Sequence, residues 1–310
     1  MSEHDLVTRL RNGERRALAR AISLVEQGGP PARAILAAAY PYAQAHRVGI
    51  TGPPGAGKST LVTALALEWR KRGVPVGIVA VDPSSPFSGG AVLGDRIRMQ
   101  ALGGDPGVFI RSMANRGRMG GLARATADAV TLIAAAGFPL VLIETVGAGQ
   151  DEVDIAQAAD TTIVVEVPGM GDDVQSIKAG MLEIADVFVV NKADRPGVEQ
   201  TVRQLRTMLQ LGGTSQEGWS PPVLTAIATT GEGCDQIVDA VERHRQFLTT
   251  TDLQARRALA AAERELSAAV HELILERLRG PRWAAFISEI ASRRRDPYAA
   301  AIALLNGAAE

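Results

Sequence analysis

The sequence has 310 residues, enough for one large domain with appendages and for a sizeable buried core. Its 33 basic and 34 acidic side chains leave a formal charge of -1, which excludes a global basic field for nucleic acid or an anionic membrane. The single cysteine, Cys234, excludes an internal disulfide and a cysteine-based metal site, and it suits a reducing compartment.

The start of the sequence indicates the compartment. Residues 1–16 carry a charge every few positions and contain no apolar block typical of a secretory signal. No later segment approaches the ~20 uninterrupted apolar residues that a membrane span needs. We therefore expect a cytoplasmic protein that has neither a membrane nor a nucleic acid as a partner.

The first predicted elements are helices. Apolar residues recur at spacings of three, four and seven, with a break at residues 28–31 (GGPP). These residues are Leu6, Leu10, Leu18, Ile22 and Val25. We predict a helical N-terminal extension over residues 1–45.

The next segment predicts a parallel sheet. Seven short apolar runs alternate with helical patterns: HRVGIT, VPVGIVAVD, GVFIRSM, PLVLIET, TTIVVEV, DVFVVN and PVLTAIA. Nearly uninterrupted apolar strands are buried on both faces, which is typical of a parallel sheet covered by helices. A helix-length segment, residues 58–72, separates the first two strands and predicts a parallel crossover. We predict an α/β fold with a mostly parallel, doubly wound sheet over residues 46–248.

A phosphate-binding loop follows the first predicted strand. GPPGAGKS, residues 52–59, fits the pattern GxxxxGK(S/T) and leads from a strand into a helix. Backbone N–H groups and the helix N-terminus favour phosphate there, which makes a chance glycine-rich turn the weaker reading. Lys58 is expected to reach the β- and γ-phosphates, and the Ser59 hydroxyl to ligate Mg²⁺. The predicted nucleotide contacts are Gly52, Pro54, Gly55, Ala56, Gly57, Lys58, Ser59 and Thr60.

Three carboxylates are candidates for the same Mg²⁺ ion. Glu144 and Asp82 end predicted strands, and Asp95 lies in the loop after Asp82. The carboxyl ends of parallel strands face the ligand crevice, and Mg²⁺ prefers oxygen ligands. The open alternative for Asp82 is a structural one, a cap on the turn at Pro83.

A second motif indicates the base. NKAD, residues 191–194, matches the guanine-recognition pattern NKxD at the end of an apolar run. A carboxylate at Asp194 can accept hydrogen bonds from guanine N1 and N2, whereas adenine would leave that charge unpaired. With Asn191 and Lys192 in the motif and the Ala228 backbone N–H near guanine O6, the sequence predicts GTP and GDP as ligands.

The run ETVG, residues 144–147, occupies the place of the DxxG segment with which GTP-binding switch proteins sense the γ-phosphate. Gly147 and Gly149 allow the backbone to change course when that phosphate leaves. Gln150 is a candidate for orienting the attacking water. Because the sequence offers no arginine finger, we expect slow unassisted hydrolysis, ~10⁻⁴ to 10⁻² per second.

These blocks resemble the MeaB/ArgK family of G-proteins. The resemblance rests on GPPGAGKST, VDPSSPFSGGAVLGDRIRM, RSMANRGRMGGLA, IETVGAGQDE, VPGMGDDVQSIKAGMLEIADVFVVNKAD and DPYAAAIALL. It covers residues 15–308 and implies a P-loop NTPase of the SIMIBI type. It also implies a GTPase chaperone that gates adenosylcobalamin loading from an adenosyltransferase. In that role it protects an acyl-CoA mutase, chiefly methylmalonyl-CoA mutase.

The resemblance also assigns roles to residues. It places Ser59, Asp82, Asp95 and Glu144 at magnesium or switch positions. It matches residues 169–178 to a third switch loop in which Asp172 and Lys178 transmit the partner's presence to the nucleotide. From the residues alone, Asp172 equally fits a helix N-cap. The catalytic set is therefore Lys58, Glu144, Gln150 and Lys178.

Two features concern the partners. Residues 249–310 return to helical patterns, with a stripe of Leu259, Leu266, Val270 and Leu273, and the resemblance implies a homodimerisation arm there. The alternative is that these helices pack on their own domain. The four histidines form no cluster in the sequence, and we interpret them as structural or exposed.

A second function stays open. A P-loop kinase would transfer the γ-phosphate to a small molecule or a transport protein, and it would need an acceptor pocket. The sequence indicates no separate substrate domain for such a pocket, so hydrolysis is the leading hypothesis.

Overall fold

The computed structural model describes residues 3–83, 99–115, 121–144, 159–169, 179–211 and 218–307. The chain starts with three helices, α1 (Glu3–Arg11), α2 (Arg15–Gln27) and α3 (Gly29–Ala39). The predicted break falls between α2 and α3, at Gly28, whose φ of 76° lies in the region that favours glycine. The helical character predicted for this segment is confirmed.

Seven strands form one sheet in the described part of the chain. They are β1 (His46–Thr51), β2 (Val76–Pro83), β3 (Val108–Asn115), β4 (Leu140–Glu144), β5 (Thr161–Glu166), β6 (Val187–Asn191) and β7 (Val223–Ala226). Their order across the sheet is β3-β2-β4-β1-β5-β6-β7, and each neighbouring pair is parallel. This confirms the predicted α/β fold class.

Helices cover both faces of the sheet. The next five are α4 (Lys58–Lys71), α5 (Gly121–Ala135), α6 (Ala179–Ile184), α7 (Val198–Leu211) and α8 (Cys234–Thr250). Alternate residues of a strand point to opposite faces. Leu142 therefore packs in a core with α4 and α8, whereas Ile143 packs in a second core with α1, α2, α3 and α5. A third core lies between β5, β6, α6 and α7.

An ion pair attaches the N-terminal helices to the edge strand. The Arg111 guanidinium on β3 donates to Glu26 on α2 at 2.6 Å, and both side chains are mostly buried. Arg111 also donates to the Ser23 hydroxyl at 3.1 Å. The extension is therefore held to β3 by polar contacts as well as by its apolar core.

A buried polar cluster lies where β1 and β5 begin, at the opposite edge from the strands' carboxyl ends. Thr161 Oγ1 lies 2.8 Å from His46 Nε2 and 2.8 Å from His244 Nδ1. His244 Nε2 in turn lies 3.2 Å from a carboxylate oxygen of Asp186. Two histidines distant in sequence thus share one hydroxyl, a cluster that the sequence did not predict.

The chain forms two compact units, Met1–Leu253 and Gln254–Glu310. The second contains most of α9 (Leu253–Leu278), together with α10 (Pro281–Ala291) and α11 (Pro297–Asn306). The two short helices begin at Pro281 and Pro297, a residue type that the first turn of a helix tolerates, and an Asp296 oxygen accepts the Ala299 N–H at 2.9 Å. Phe286, Ala300 and Leu304 form their small buried core. Among the described residues, no helix is long and apolar enough to cross a bilayer.

Candidate functional site

The predicted phosphate loop connects β1 to α4. β1 ends at Thr51 and α4 begins at Lys58, so Gly52, Pro54, Gly55, Ala56 and Gly57 form the turn between them. The first N–H groups of a helix have no acceptor within the helix, and the helix dipole makes that end positive. The first turn of α4 is therefore suited to bind a phosphate.

Two glycines of this loop are required by close packing. Gly57 has a φ of 85°, and a Cβ there would stand 2.6 Å from Asn191 Nδ2. Gly52 has a φ of 142°, and its Cβ would collide with the backbone carbonyl of Val165 on β5. A larger residue at either position would push the loop away from the neighbouring strand ends.

Lys58 is held over the loop by backbone oxygens. Its ammonium group donates to the carbonyl oxygens of Gly52 at 2.7 Å and Pro53 at 3.0 Å. The side chain is buried, so its positive charge lies beside the loop and is largely shielded from solvent. The contact with the Pro53 carbonyl was not predicted, because a backbone acceptor leaves no signal in side-chain identity.

The predicted metal ligands Ser59 and Glu144 lie together. The Ser59 hydroxyl, in the first turn of α4, donates to Glu144 Oε1 at 2.5 Å, and both side chains are buried. Glu144 is the last residue of β4 and is opposite Ala80 on β2, two residues before Asp82. The Asp82 backbone therefore reaches the same edge of the sheet. A hydroxyl and a carboxylate in contact are the hard oxygen donors that Mg²⁺ prefers.

The described residues supply few ligands for a metal ion. No group of three or more His, Cys, Asp and Glu side chains among them is arranged to hold one. The side chains of the predicted ligands Asp82 and Asp95 lie outside the described part of the chain.

The NKAD turn is attached to the phosphate loop. Asn191, the last residue of β6, donates from Nδ2 to the Ala56 carbonyl at 2.8 Å. Its Oδ1 accepts the backbone N–H of Ala228 at 3.1 Å. Lys192, with a φ of 57°, donates to the Gly55 carbonyl at 2.6 Å. One amide thus joins the phosphate loop to the segment predicted to approach guanine O6.

Asp194 lies in the same turn and is exposed. The backbone N–H of Ala193 donates to the Ala226 carbonyl at 3.0 Å, and that of Arg195 donates to the Lys192 carbonyl at 3.0 Å. These bonds fix the turn that carries Asp194 while its carboxylate stays open to solvent. Backbone bonds therefore hold the turn in place, and its acidic group is accessible to a base.

Six predicted site residues lie outside the described residues. They are Asp95, Gly147, Gly149, Gln150, Asp172 and Lys178. For Asp82 the structure describes the backbone alone. The described site therefore consists of the phosphate loop, the Ser59–Glu144 pair and the NKAD turn with Ala228.

Comparisons with known proteins agree with this geometry. Residues 18–282 match a family described as methylmalonyl Co-A mutase-associated GTPase MeaB. A putative GTPase of Pyrococcus horikoshii is 47% identical over 302 residues, covering 96% of this chain and 95% of the relative. The GTPase ArgK of Escherichia coli is 38% identical over 253 residues, covering 79% and 76%. The crystal structure of a LAO/AO transport system kinase is similar to this one, with a TM-score of 0.74 and 27% sequence identity, and the match covers 99% of this chain and 98% of the kinase chain.

Proposed function

The chain belongs to the MeaB family of methylmalonyl Co-A mutase-associated GTPases, and from that premise we propose that it is a GTPase chaperone of a cobalamin-dependent acyl-CoA mutase. In this proposal GTP binding and hydrolysis gate adenosylcobalamin loading from an adenosyltransferase and protect the mutase. The observation that carries the nucleotide-binding part of the proposal is the Asn191 bridge, which joins the phosphate loop at Ala56 to the base-recognition segment at Ala228; the mutase as partner is proposed from the family match.

Guanine selectivity rests on the NKAD turn. The exposed Asp194 carboxylate accepts the N1 and N2 hydrogens of guanine, and the Ala228 N–H approaches O6. The backbone bonds of Ala193 and Arg195 support this role because they hold the turn in place. An adenine base would leave the carboxylate without a donor, which is costly for a charged group at a binding site.

We assign Mg²⁺ to the edge of the sheet that carries Ser59 and Glu144. The short contact between their oxygens supports this assignment. Asp82 and Asp95 complete the proposed set, either directly or through water. When bound, Mg²⁺ neutralises charge on the β- and γ-phosphates and fixes their orientation.

Hydrolysis and switching are assigned to residues around the γ-phosphate. Lys58 stabilises the charge that develops on the phosphoryl oxygens, and Gln150 orients the attacking water. Gly147 and Gly149 let the adjacent segment relax after phosphate release. Asp172 and Lys178 transmit the partner's presence to this site.

The C-terminal arm, residues 249–310, is proposed to form a homodimer. Leu259 and Leu266 on α9 are 73% and 66% exposed, and Val270 and Leu273 continue the same stripe at heptad-like spacing. A second copy that covers this stripe would remove its apolar surface from water, which would stabilise a dimer.

One experiment tests the partner. The purified chain is mixed with candidate cobalamin-dependent mutases, and we measure co-purification and GTP turnover with and without each mutase. We expect one mutase to bind and to raise turnover at least several-fold. No binding and no stimulation by any of them would contradict the chaperone role.

A kinase is the second candidate, because a protein of similar structure is named a LAO/AO transport system kinase. Incubation with GTP labelled at the γ-phosphate separates the two. Release of the label solely as inorganic phosphate supports hydrolysis, whereas label on a protein or small-molecule acceptor supports a kinase.

A further inference from the structure

The C-terminal part of the second unit is strongly basic. Residues 277–295 contain six arginines, one glutamate and no lysine, although the whole chain has a formal charge of -1. The arginines are Arg277, Arg279, Arg282, Arg293, Arg294 and Arg295. Such a local excess attracts an acidic partner over distances of about a Debye length, ~8 Å at physiological salt.

Contacts within the unit use little of this charge. Arg295 pairs with Glu289, the one acidic residue of the segment, at 2.6 Å and lies 4.6 Å from the centre of the Phe286 ring. Arg282 lies 5.6 Å from the centre of that ring. The next carboxylate along the chain, Asp296, caps α11. Among the described residues, no carboxylate lies within ion-pair distance of Arg279, Arg282 or Arg293.

Arg293 occupies a backbone position that favours glycine. It follows α10 with a φ of 58°, and its N–H donates to the Ile290 carbonyl at 2.9 Å. Helices commonly end on such a left-handed residue, and glycine fits it best because it lacks a Cβ. An arginine at this position carries backbone strain, and its side chain is exposed and open to a partner.

An exposed apolar stripe lies between the arginines. Tyr298, Ile302 and Leu305 on α11 are 83%, 59% and 50% exposed, whereas Ala300 and Leu304 on the same helix are buried. The turn with Arg293 and Arg294 precedes the start of α11. At the other end, the Arg282 guanidinium lies against Gly307. We call Arg282, Arg293, Arg294, Tyr298, Ile302 and Leu305 the α11 face.

We propose that the α11 face is a docking surface for an acidic, partly apolar surface of the mutase that the GTPase serves. The inference rests on the proposed function. The basic residues here are arginines and not lysines, and a guanidinium binds a carboxylate through two parallel hydrogen bonds in a fixed, bidentate geometry. This favours carboxylate side chains on a folded partner. The apolar stripe supplies the central contact, and the arginines at its ends set specificity and association rate.

The test uses two variants of the full chain and the mutase identified by co-purification. In Arg293→Gly the backbone strain is relieved, so we expect Tm to stay unchanged or to rise by about 2 °C. The same variant should bind the mutase several-fold more weakly. A residue with a purely structural role would not separate stability from binding in this way.

The double variant Arg293→Glu/Arg294→Glu should weaken binding more than about tenfold near 0.1 M salt, with a flatter salt dependence. Its intrinsic GTP turnover should equal that of the wild type. The matched control, Arg203→Glu/Arg206→Glu on α7, makes the same charge change at exposed positions and should bind normally.

Each other outcome overturns the proposal. If the wild type binds a mutase and the α11 variants bind equally well, the docking surface is wrong while the chaperone function stands. If the wild type binds no mutase, the docking surface and the chaperone function are both contradicted. If the variants become monomers, the face belongs to a second copy. If they lose binding to phosphatidylserine vesicles or RNA but not to the mutase, the face serves a different partner.

Discussion

The Thr161 hydroxyl lies 2.8 Å from His244 Nδ1 inside the first unit, and both side chains are fully buried. The Asp186 carboxylate lies 3.2 Å from the other ring nitrogen, His244 Nε2. Thr161 has one hydroxyl hydrogen, so it donates to one of the two ring nitrogens and accepts a hydrogen from the other. The chain of bonds therefore runs in one direction and joins β1, β5 and α8.

Thr161→Val should be strongly destabilising for this reason. Valine has the same shape but leaves ring nitrogens of His46 and His244 buried without their partner, at about 1–3 kcal/mol for each unsatisfied group. We expect urea unfolding to show a loss of about 2–4 kcal/mol with an unchanged m-value. The control is Thr131→Val, which removes one hydroxyl bonded to Ala127 in the same helix. Equal losses for the two variants would contradict the chain of bonds.

His46 should make the protein sensitive to mild acid. The pKa of His46 falls from 6.5 to about 4, chiefly because the ring is buried; Asp160 opposes the shift, and Arg245, His244 and Arg47 add to it. Between these two values the unfolded chain binds a proton that the native protein excludes. Stability therefore falls as the pH drops through about 6.5 towards 4, by about 2 kcal/mol between pH 7 and pH 5 from this residue.

The variant His46→Gln tests this account, since an amide keeps a donor for Thr161 and does not titrate. Urea unfolding is measured at about pH 7 and about pH 5 for both proteins. The wild type should lose about 2 kcal/mol more than the variant over this interval. A parallel loss in the two proteins would assign the acid sensitivity to other groups.

The sequence predicted the seven strands because each appears as a short apolar run, and most of their residues are buried in the sheet. The order of strands was not predictable, since it depends on packing between distant segments. The same limit applies to the site. GPPGAGKS and NKAD are local patterns and were found, but the bond from Asn191 to Ala56 depends on β1, β5 and β6 lying side by side. His46 and His244 meet through Thr161, which is 115 residues from one and 83 from the other.

Gly57→Ala should impair nucleotide binding much more than Gly55→Ala. Both glycines have a positive φ, of 85° and 75°, so alanine is strained at each. At Gly57, however, the added methyl would also stand 2.6 Å from Asn191 Nδ2, whereas at Gly55 it meets nothing within 4 Å. We expect the loss of GDP affinity, measured by calorimetry, to be about tenfold larger for Gly57→Ala. Equal losses would show that the contact with Asn191 does not limit binding.

Glu144→Gln should raise the Mg²⁺ concentration that GTP hydrolysis requires. The amide keeps an oxygen for the Ser59 hydroxyl, so the fold is retained, but it binds a hard cation more weakly than a carboxylate does. We expect the half-saturating Mg²⁺ concentration to rise about tenfold or more. GDP affinity in the presence of EDTA is the internal control and should not change. An unchanged Mg²⁺ requirement would remove Glu144 from the metal site.

Asp194→Asn tests which base the site selects. Asp194 is exposed, so the substitution should leave the urea midpoint unchanged, and a change in affinity reports on the base contact. Guanine offers hydrogens at N1 and N2, which a carboxylate accepts and the asparagine NH₂ group does not. Xanthine carries an oxygen at C2 instead, and that oxygen can accept a hydrogen from the new amide. GTP affinity should therefore fall at least about tenfold while xanthosine triphosphate affinity rises.

A fall in GTP affinity together with a rise in xanthosine triphosphate affinity would distinguish loss of a direct base contact from general damage to the turn. Damage would weaken both nucleotides together, because Asn191 and Lys192 of the same turn hold the phosphate loop. A direct contact exchanges one preference for the other and leaves the phosphate contacts intact. Competition titrations with GTP, xanthosine triphosphate and ATP measure this directly, with ATP expected to stay weak in both proteins. Undiminished GTP affinity in the variant would mean that the base is recognised by groups other than Asp194.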